Sequence, residues 1–247
     1  MASSNPRPRE VFHLALARKE YGAVLDLQRR LHARRSSGEI ADTILTVEHP
    51  PVFTLGRNAT REHLLVDERT LERERIGVYE IERGGEITYH GPGQLVVYPI
   101  LDLRDDDRNI KAFIARLEET VLQTVASFGI RAARREGYPG VWVGARKIAS
   151  VGVYVKHWVT MHGVALNVSI HKPHVRMIRP CGLDIEMVSV ADLIHDAPGV
   201  TEVAGVFVER FGDVFGRSIR TASLADLEGG GDERSSELDQ GPRADAG

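Results

Sequence analysis

The stretch RGGEITYHGPGQLVVYPIL, residues Arg83–Leu101, joins a glycine-rich segment directly to an apolar run. Four glycines fall within Arg83–Gln94, and such a density indicates a backbone that adopts unusual dihedral angles or admits a ligand close to the main chain. The run Leu95–Leu101 has the length and the β-branched residues of a buried strand. The stretch therefore predicts a loop built for close approach, followed by a strand in the middle of a sheet.

The segments on both sides of this stretch alternate between strand and helix patterns. Strands are predicted at Thr43–Glu48, Val52–Leu55, Val78–Glu82, Val141–Val143, Ile148–Val155 and Val164–Ile170, two of them joined as a hairpin across Lys156-His157. Helices are predicted over residues 11–35, 67–75, 109–128 and 189–195, and from Thr201 onwards, where Val203, Phe207, Phe211 and Phe215 mark a core-facing stripe. This mixed order of helices and strands predicts an α+β fold.

The charge of the chain is divided unevenly. The formal net charge is −3, yet residues 225–247 hold seven acidic and two basic residues and almost nothing apolar. Such a composition is typical of disorder. We therefore predict a disordered N-terminus (1–10), one catalytic domain (11–224) and a disordered acidic tail (225–247). The domain itself is only weakly basic, which does not favour nucleic acid as a partner but would suit an acidic protein.

Several classes of protein are excluded or disfavoured by what the sequence lacks. No apolar run is long enough to cross a membrane, and the polar N-terminus has no apolar signal segment, so a cytoplasmic protein is expected. The single cysteine excludes an intrachain disulfide and a multi-cysteine zinc site. Neither a phosphate-binding loop motif nor an H-E-x-x-H motif occurs. His171 and His174 are interpreted as loop histidines rather than metal ligands.

Two residues could carry covalent chemistry. Cys181 lies between a proline and a glycine, a setting that favours a turn and a displayed thiol over a core position. Lys147 begins a predicted strand in a chain with only five lysines among its 32 basic residues. A lysine can release its proton when it is desolvated, whereas an arginine cannot, so Lys147 is a candidate for acid–base work.

The motifs around these residues resemble those of the lipoyl(octanoyl) transferases. The resemblance includes RGGEITYHGPGQ (Arg83–Gln94), KIASVG (Lys147–Gly152), HGVALNV (His162–Val168), PCGL (Pro180–Leu183) and EHPPVFT (Glu48–Thr54). It extends from about Leu14 to Phe215, and several long motifs in the same order make it specific. It implies a mixed β-sheet core flanked by helices, as in the biotin and lipoate protein ligases.

The resemblance also assigns roles to individual residues. It implies that Cys181 is the nucleophile that forms an acyl thioester and that Lys147 is its acid–base partner. His162 would orient the site, and whether His90 and His162 are mechanistic or structural is left to geometry. The residues implied in substrate binding are Arg83, Gly84, Gly85, Glu86, Ile87, Thr88, Tyr89, His90, Ser150, Val151, Gly152, Gly163, Val164 and Ala165.

The implied reaction is the first step of protein lipoylation. The donor would be octanoyl-phosphopantetheine on acyl carrier protein, and the acceptors would be lipoyl domains of 2-oxoacid dehydrogenase complexes and the glycine cleavage H protein, with no ATP or metal. Three alternatives remain at this stage: an ATP-dependent lipoate or biotin ligase on a similar fold, a thioesterase, and a non-catalytic binder of lipoyl domains or carrier protein. Only the transferase and the thioesterase need a cysteine nucleophile here.

Overall fold

A large mixed sheet forms the centre of the molecule. A computed structural model of the chain describes residues 9–106, 108–179 and 185–228. Within them, eight strands are arranged in the order β11-β1-β2-β6-β10-β9-β8-β7, and three more form a small sheet in the order β4-β3-β5. The strands are β1 Arg9–Arg18, β2 Asp42–Glu48, β3 Val52–Leu55, β4 Gly77–Glu80, β5 Ile87–His90, β6 Gln94–Ile100, β7 Ala133–Arg135, β8 Tyr138–Val143, β9 Arg146–Lys156, β10 Val159–Asn167 and β11 Arg217–Thr221.

The pairing is parallel at one end of the large sheet and antiparallel at the other. Strand β1 lies between β11 and β2 and runs parallel to both, whereas β2, β6, β10, β9, β8 and β7 follow one another in antiparallel pairs. The helices that cover the sheets are α1 Tyr21–Ser37, α2 Glu68–Glu74, α3 Ile110–Ala126, α4 Lys172–Val175, α5 Val200–Phe215 and α6 Leu224–Glu228.

The two faces of the large sheet bury different helices, as the two-residue period of strand β6 dictates. Leu95 and Val97 face the larger core cluster, which contains Leu117 of α3 and Phe211 of α5. The alternate residues, Val96 and Tyr98 among them, face the cluster around helix α1. The fold is therefore helix–sheet–helix in section, and the predicted stripe on the last helix is buried in the core. Each fully buried large apolar side chain contributes roughly 1.5–3 kcal/mol to this packing.

The predicted helix over residues 11–35 is wrong in its first part. Residues Arg9–Arg18 form strand β1, and α1 begins only at Tyr21. Strand β1 is held by two parallel neighbours that are distant in sequence, so the decisive hydrogen bonds lie outside any local window. A further strand, β5, lies inside the glycine-rich segment Arg83–Gln94, all of which the sequence predicts to be a loop.

The other predicted strands and helices are confirmed with shifted ends, except that the predicted helix over 189–195 is only a short 3-10 turn at Val190–Asp192. Asn109 caps α3 by accepting a hydrogen bond from the Ala112 backbone N–H, and Gly129 follows with a positive φ of 78°. The hairpin between β9 and β10 is confirmed, but its two turn residues are His157 and Trp158, one position later than predicted. The described fold begins at Arg9 and ends at Glu228, slightly beyond the predicted domain, and the predicted disorder of the termini stays a prediction. No helix of the described residues is long and apolar enough to span a membrane.

Candidate functional site

A pocket of about 180 Å³ opens where the small sheet meets the α1 face of the large sheet. Its walls come from the segment Arg83–Glu86, strand β5 and the facing parts of β6, β9 and β10. Every described residue that the sequence implied lines this pocket: Arg83 to His90, Lys147, Ser150 to Gly152 and His162 to Ala165. These residues are spread over more than 80 positions of the chain, and the sheet pairing brings them together.

The predicted nucleophile, Cys181, lies outside the described residues, which break off between Arg179 and Ile185. Residues on both sides of that break line the pocket, namely Ile178 before it and Ile185 and Met187 after it. On the N-terminal side of the break, Arg179 N–H donates to the His63 carbonyl at 2.9 Å, and Ile178 forms an isolated antiparallel β-bridge with Leu64. Described residues close to Cys181 in sequence, on both sides of the break, therefore lie at the pocket.

Lys147 is a buried side chain in the wall of this pocket, with only 9% of its surface exposed. Its backbone N–H donates to the Glu186 carbonyl at 2.9 Å, and its carbonyl accepts from Val188 N–H at 3.0 Å. Its Nζ lies 5.2 Å from the centroid of the Trp142 ring, a cation–π distance. The chain just after the undescribed segment therefore pairs directly with the backbone of Lys147.

The glycine-rich segment is anchored by the buried guanidinium of Arg83. Its Nη2 donates to the Thr54 carbonyl at 2.8 Å and to the Thr54 hydroxyl at 2.9 Å, and its Nη1 donates to the Gly84 carbonyl at 3.1 Å. The next residues are held by backbone bonds, with Gly84 N–H donating to the Val153 carbonyl at 3.0 Å. Gly85 follows at a φ of +87°, which an L-residue rarely adopts. Arginine and glycine here shape the pocket wall.

The glycines Gly152 and Gly163 face each other across strands β9 and β10. A Cβ on Gly163 would lie 2.4 Å from the Val97 carbonyl oxygen and 2.6 Å from Pro99 Cδ. A Cβ on Gly152 would lie 3.1 Å from Arg83 Cδ. The missing side chains let neighbouring backbone and Arg83 approach closely, so these glycines set the shape of the pocket.

A line of buried hydrogen bonds starts at His90 on the pocket wall. His90 Nδ1 lies 2.7 Å from Gln94 Oε1, Gln94 Nε2 donates to Asn167 Oδ1 at 3.0 Å, and Asn167 Nδ2 donates to the Val188 carbonyl at 3.1 Å. Burial lowers the pKa of His90 to about 3, so the ring is neutral at physiological pH.

A second buried histidine, His49, lies behind the pocket. Its Nδ1 is 2.8 Å from the Lys19 carbonyl oxygen, and its Nε2 is 2.9 Å from the hydroxyl of Tyr98, which lines the pocket. Burial lowers the pKa of His49 to about 4 and raises the pKa of Tyr98 well above its ordinary value. Neither group is charged near neutral pH, so this part of the pocket wall consists of neutral hydrogen-bonding groups.

His162 has an unusual backbone, with a φ of +59° in the middle of strand β10. Its backbone N–H donates to Gln28 Oε1 of helix α1 at 3.0 Å. Its buried Nε2 has no hydrogen-bond partner among the described residues and lies 3.8 Å from Glu82 Oε2. Burial lowers the pKa of His162, while Glu82 opposes that shift. The strained backbone fixes the direction of the ring in the pocket wall.

The prediction that His171 and His174 lie in a loop is wrong, since His171 is the N-cap of the short helix α4 and His174 lies within it. Their rings are 4.5 Å apart, and His174 Nδ1 lies 3.3 Å from the hydroxyl of Tyr89 in the small sheet. Within the described parts of the chain, no three His, Cys, Asp or Glu residues group as metal ligands.

Sequence reasoning missed several pocket residues. Tyr21 comes from α1, Tyr98 from β6, and Gly137 to Pro139 from the β7–β8 connection and the start of β8. Gln94 and Asn167 stood inside quoted motifs but were not assigned to the site. Each is an amide at the end of an apolar run, which indicates a buried group that needs partners, although the sequence does not show which residues those partners are.

With the geometry in place, comparison with known proteins decides the family. The family model described as "Lipoyl protein ligase A/B catalytic domain" matches residues 20–212. The chain belongs to this family. Its similar relatives include an octanoyltransferase of Solibacter usitatus, 46% identical over 81% of this chain and 90% of the relative. An octanoyltransferase of Caldicellulosiruptor saccharolyticus is 43% identical over 85% of this chain and 90% of the relative.

Solved structures of lipoate protein ligases share the fold. A putative lipoate protein ligase of T. acidophilum superimposes with a TM-score of 0.70 at 16% identity, covering 89% of this chain and 91% of that one. A lipoate-protein ligase A bound with ATP gives 0.69 at 14% identity, covering 90% and 92%. The predicted fold class and the resemblance to the lipoyl(octanoyl) transferases are thus confirmed, and the chain is an acyltransferase.

Proposed function

We propose that this enzyme transfers an octanoyl group from the phosphopantetheine arm of an acyl carrier protein to a lysine of a lipoyl domain, through a thioester on Cys181. One observation carries the proposal: Lys147, the glycine-rich segment and both flanks of the segment containing Cys181 converge on one pocket. Relatives more than 40% identical over most of the chain are named octanoyltransferases, which supports the acyl group chosen.

In the first step, Cys181 attacks the carbonyl carbon of the octanoyl thioester. Lys147 takes the thiol proton as the C–S bond to Cys181 forms, since a neighbouring base and its ammonium product favour the thiolate. The C–S bond to the phosphopantetheine arm then breaks, and the ammonium of Lys147 returns the proton to the departing thiolate. One thioester replaces another, so this step needs no ATP.

In the second step, the neutral amine of the acceptor lysine attacks the Cys181 thioester. The new C–N bond forms, the C–S bond breaks, and Lys147 carries the surplus amine proton to the departing Cys181 thiolate. The product is an amide, which is more stable than the thioester consumed. Because cysteine and lysine exchange one proton, they titrate as a pair.

The apolar side of the pocket suits a saturated chain. Its lining includes Val96, Val164, Ile170, Ile178 and Met187. Burying about seven methylene or methyl groups at ~0.8 kcal/mol each contributes roughly 5–6 kcal/mol. Each carbon removed forfeits only about fourfold in affinity, so preference for octanoyl over hexanoyl should be graded.

The proposed donor and acceptors are proteins, and no ATP or metal takes part in either step. The donor is an acyl carrier protein, and the acceptors are lipoyl domains of 2-oxoacid dehydrogenase complexes and the glycine cleavage H protein. The weakly basic body of the chain outside its acidic C-terminal residues suits an acidic carrier protein.

Intact-protein mass spectrometry tests the proposal. The protein is mixed with octanoyl-carrier protein without ATP, and an octanoyl increment is expected that disappears when an apo lipoyl domain is added. The chain has one cysteine, so sensitivity of the adduct to hydroxylamine and its loss in Cys181→Ala locate it. Full transfer by Cys181→Ala would overturn the mechanism.

The same experiment separates the alternatives. An acyl transfer that occurs only with ATP and free octanoate indicates a ligase. An adduct that decays equally fast with and without the lipoyl domain indicates a thioesterase. No adduct and no transfer under either condition, with binding retained, indicates a non-catalytic protein.

A further inference from the structure

The direction of the hydrogen-bond line from His90 to Val188 can be read from its far end. The Val188 carbonyl can only accept, so Asn167 must present its NH₂ there and its Oδ1 to Gln94. Gln94 then presents its NH₂ to Asn167 and its Oε1 to His90. His90 must therefore donate from Nδ1–H, which leaves a lone pair on Nε2.

The ring that carries this lone pair forms part of the pocket wall. His90 lines the pocket, and its only hydrogen bond to the described residues is the one at Nδ1. The centroid of its ring lies 6.0 Å from that of Tyr21, in a stacked arrangement, and 6.1 Å from that of His49, and these contacts restrain the plane of the ring. His90, Gln94 and Asn167 are exposed by only 6%, 4% and 4% of their surfaces, so water screens this arrangement little.

The neighbouring hydroxyl of Tyr98 follows the same logic. The Lys19 carbonyl can only accept from His49 Nδ1–H, so His49 Nε2 accepts and the Tyr98 hydroxyl must donate to it. The oxygen of Tyr98 then has only lone pairs left to offer. His90 Nε2 and the Tyr98 oxygen therefore both offer lone pairs, which match an N–H group.

We infer that His90 is a neutral hydrogen-bond acceptor for a substrate N–H, and that Gln94 and Asn167 are positioning residues that fix its tautomer. The inference rests on the proposed function, which supplies two sources of that N–H. One is the amine of the acceptor lysine, and the other is an amide of the phosphopantetheine arm. Because burial keeps the pKa of His90 near 3, the ring does not act as a proton carrier at neutral pH.

The tautomer is measured on the free protein by nitrogen-15 NMR of the histidine rings. His90 is expected as the neutral form protonated at Nδ1 down to about pH 5. A ring protonated at Nε2 would overturn the inference whatever the enzyme activity.

Single-turnover rates of the two half-reactions test the role and identify the source. If discharge of the octanoyl-enzyme to the lipoyl domain is about tenfold slower in His90→Phe, the N–H that His90 accepts belongs to the acceptor amine. A factor of this size corresponds to the loss of one net hydrogen bond. If formation of the octanoyl-enzyme is about tenfold slower instead, the N–H belongs to an amide of the phosphopantetheine arm of the donor. The exposed His195→Phe is the matched control. If neither half-reaction is slowed in His90→Phe, the inference is wrong, whereas an inactive wild type would overturn the proposed function itself.

Gln94→Glu separates positioning from mere packing. Its carboxylate would still accept from Nδ1–H but would stabilise the imidazolium, which converts Nε2 from acceptor to donor. The rate of the affected half-reaction in the variant, divided by the wild-type rate at the same pH, should then rise with pH as the ring loses its proton. Equal slowing at every pH would contradict the assigned role of Gln94.

Discussion

The long side chain of Lys147 packs closely against a glycine and an aromatic ring. A Cβ on Gly140 would lie 2.5 Å from Lys147 Cε, and the ammonium approaches the Trp142 ring. The absence of a side chain at Gly140, which has a φ of +123°, is what gives the lysine its room. The residue is thus placed by its neighbours rather than by a charged partner alone.

We expect Lys147→Arg to lower the rate of octanoyl transfer by about 10²–10⁴-fold, because a guanidinium keeps the positive charge but cannot give up its proton. Steady-state transfer to a lipoyl domain measures this. The matched control is Lys156→Arg at the exposed end of the same strand, which should transfer at the wild-type rate. Normal activity of Lys147→Arg would reduce Lys147 to an electrostatic partner.

The residues of the site divide into those that sequence could identify and those that it could not. The glycine-rich segment, Lys147 and the Gly163 segment were predictable because each lies within a continuous motif. Gln94 and Asn167 act through each other across two strands, and nothing local reveals that pairing. The direction of their hydrogen bonds also depends on the Val188 carbonyl, which only the folded chain brings to them.

At the scale of elements, the close pairing of strand β10 with β6 requires a glycine at position 163. We expect Gly163→Ala to lower the free energy of unfolding by roughly 1–3 kcal/mol, because its Cβ would press on the Val97 carbonyl and Pro99. Urea unfolding measures the loss.

Gly205→Ala in helix α5 is the opposite case and serves as the control. Nothing lies within 4 Å of the Cβ that it would gain, so it should raise the free energy of unfolding by roughly 0.5–1 kcal/mol. Equal effects of the two substitutions would show that helix and strand propensity, rather than the close approach at β10, determines the result.

Strands β1 and β5 escape the sequence patterns for the same physical reason. In β1, Phe12, Leu14 and Leu16 alternate as in a strand. The leucines of α1 follow within a few residues, however, so a single helical pattern also fits both segments together. In β5, the residues Ile87–His90 suit a strand, yet glycines on both sides dominate any local window. Strand partners decide both cases, and those partners are remote in sequence.

At the scale of the whole molecule, two buried neutral histidines make stability depend on pH. His49 and His90 have folded pKa values of about 4 and about 3, below the value of about 6.5 in an unfolded chain. As the pH falls below about 6.5, the unfolded state binds protons that the folded state does not. The free energy of unfolding should therefore fall between pH 6.5 and 4.5, by up to about 1.4 kcal/mol per pH unit for each histidine.

Chemical unfolding at a series of pH values checks this slope. His49→Gln should make it shallower, whereas the exposed His195→Gln should leave it unchanged. A slope that His49→Gln does not alter would place the pH dependence elsewhere in the molecule.

The C-terminal end of the described fold is anchored by α6. Leu227 is 2% exposed and packs in the core cluster beside α1, and Arg34 Nη1 donates to its carbonyl at 2.5 Å. A chain that ends at Glu228 should unfold at the same urea concentration as the full chain. A chain that ends at Thr221 should lose about 2–3 kcal/mol, because it leaves that side of the cluster uncovered. Equal stability of the two truncations would contradict the anchoring role.

The parallel pairing of β1 with β11 joins the beginning of the described fold to its end. During synthesis on the ribosome, β1 can pair with β2 early, but its other edge waits until residues 217–221 have emerged. For most of translation the nascent chain therefore carries an open strand edge of the kind that templates aggregation. The charged residues at both ends of β1, including Arg9, Glu10 and Arg18, protect that edge while it waits for its last partner.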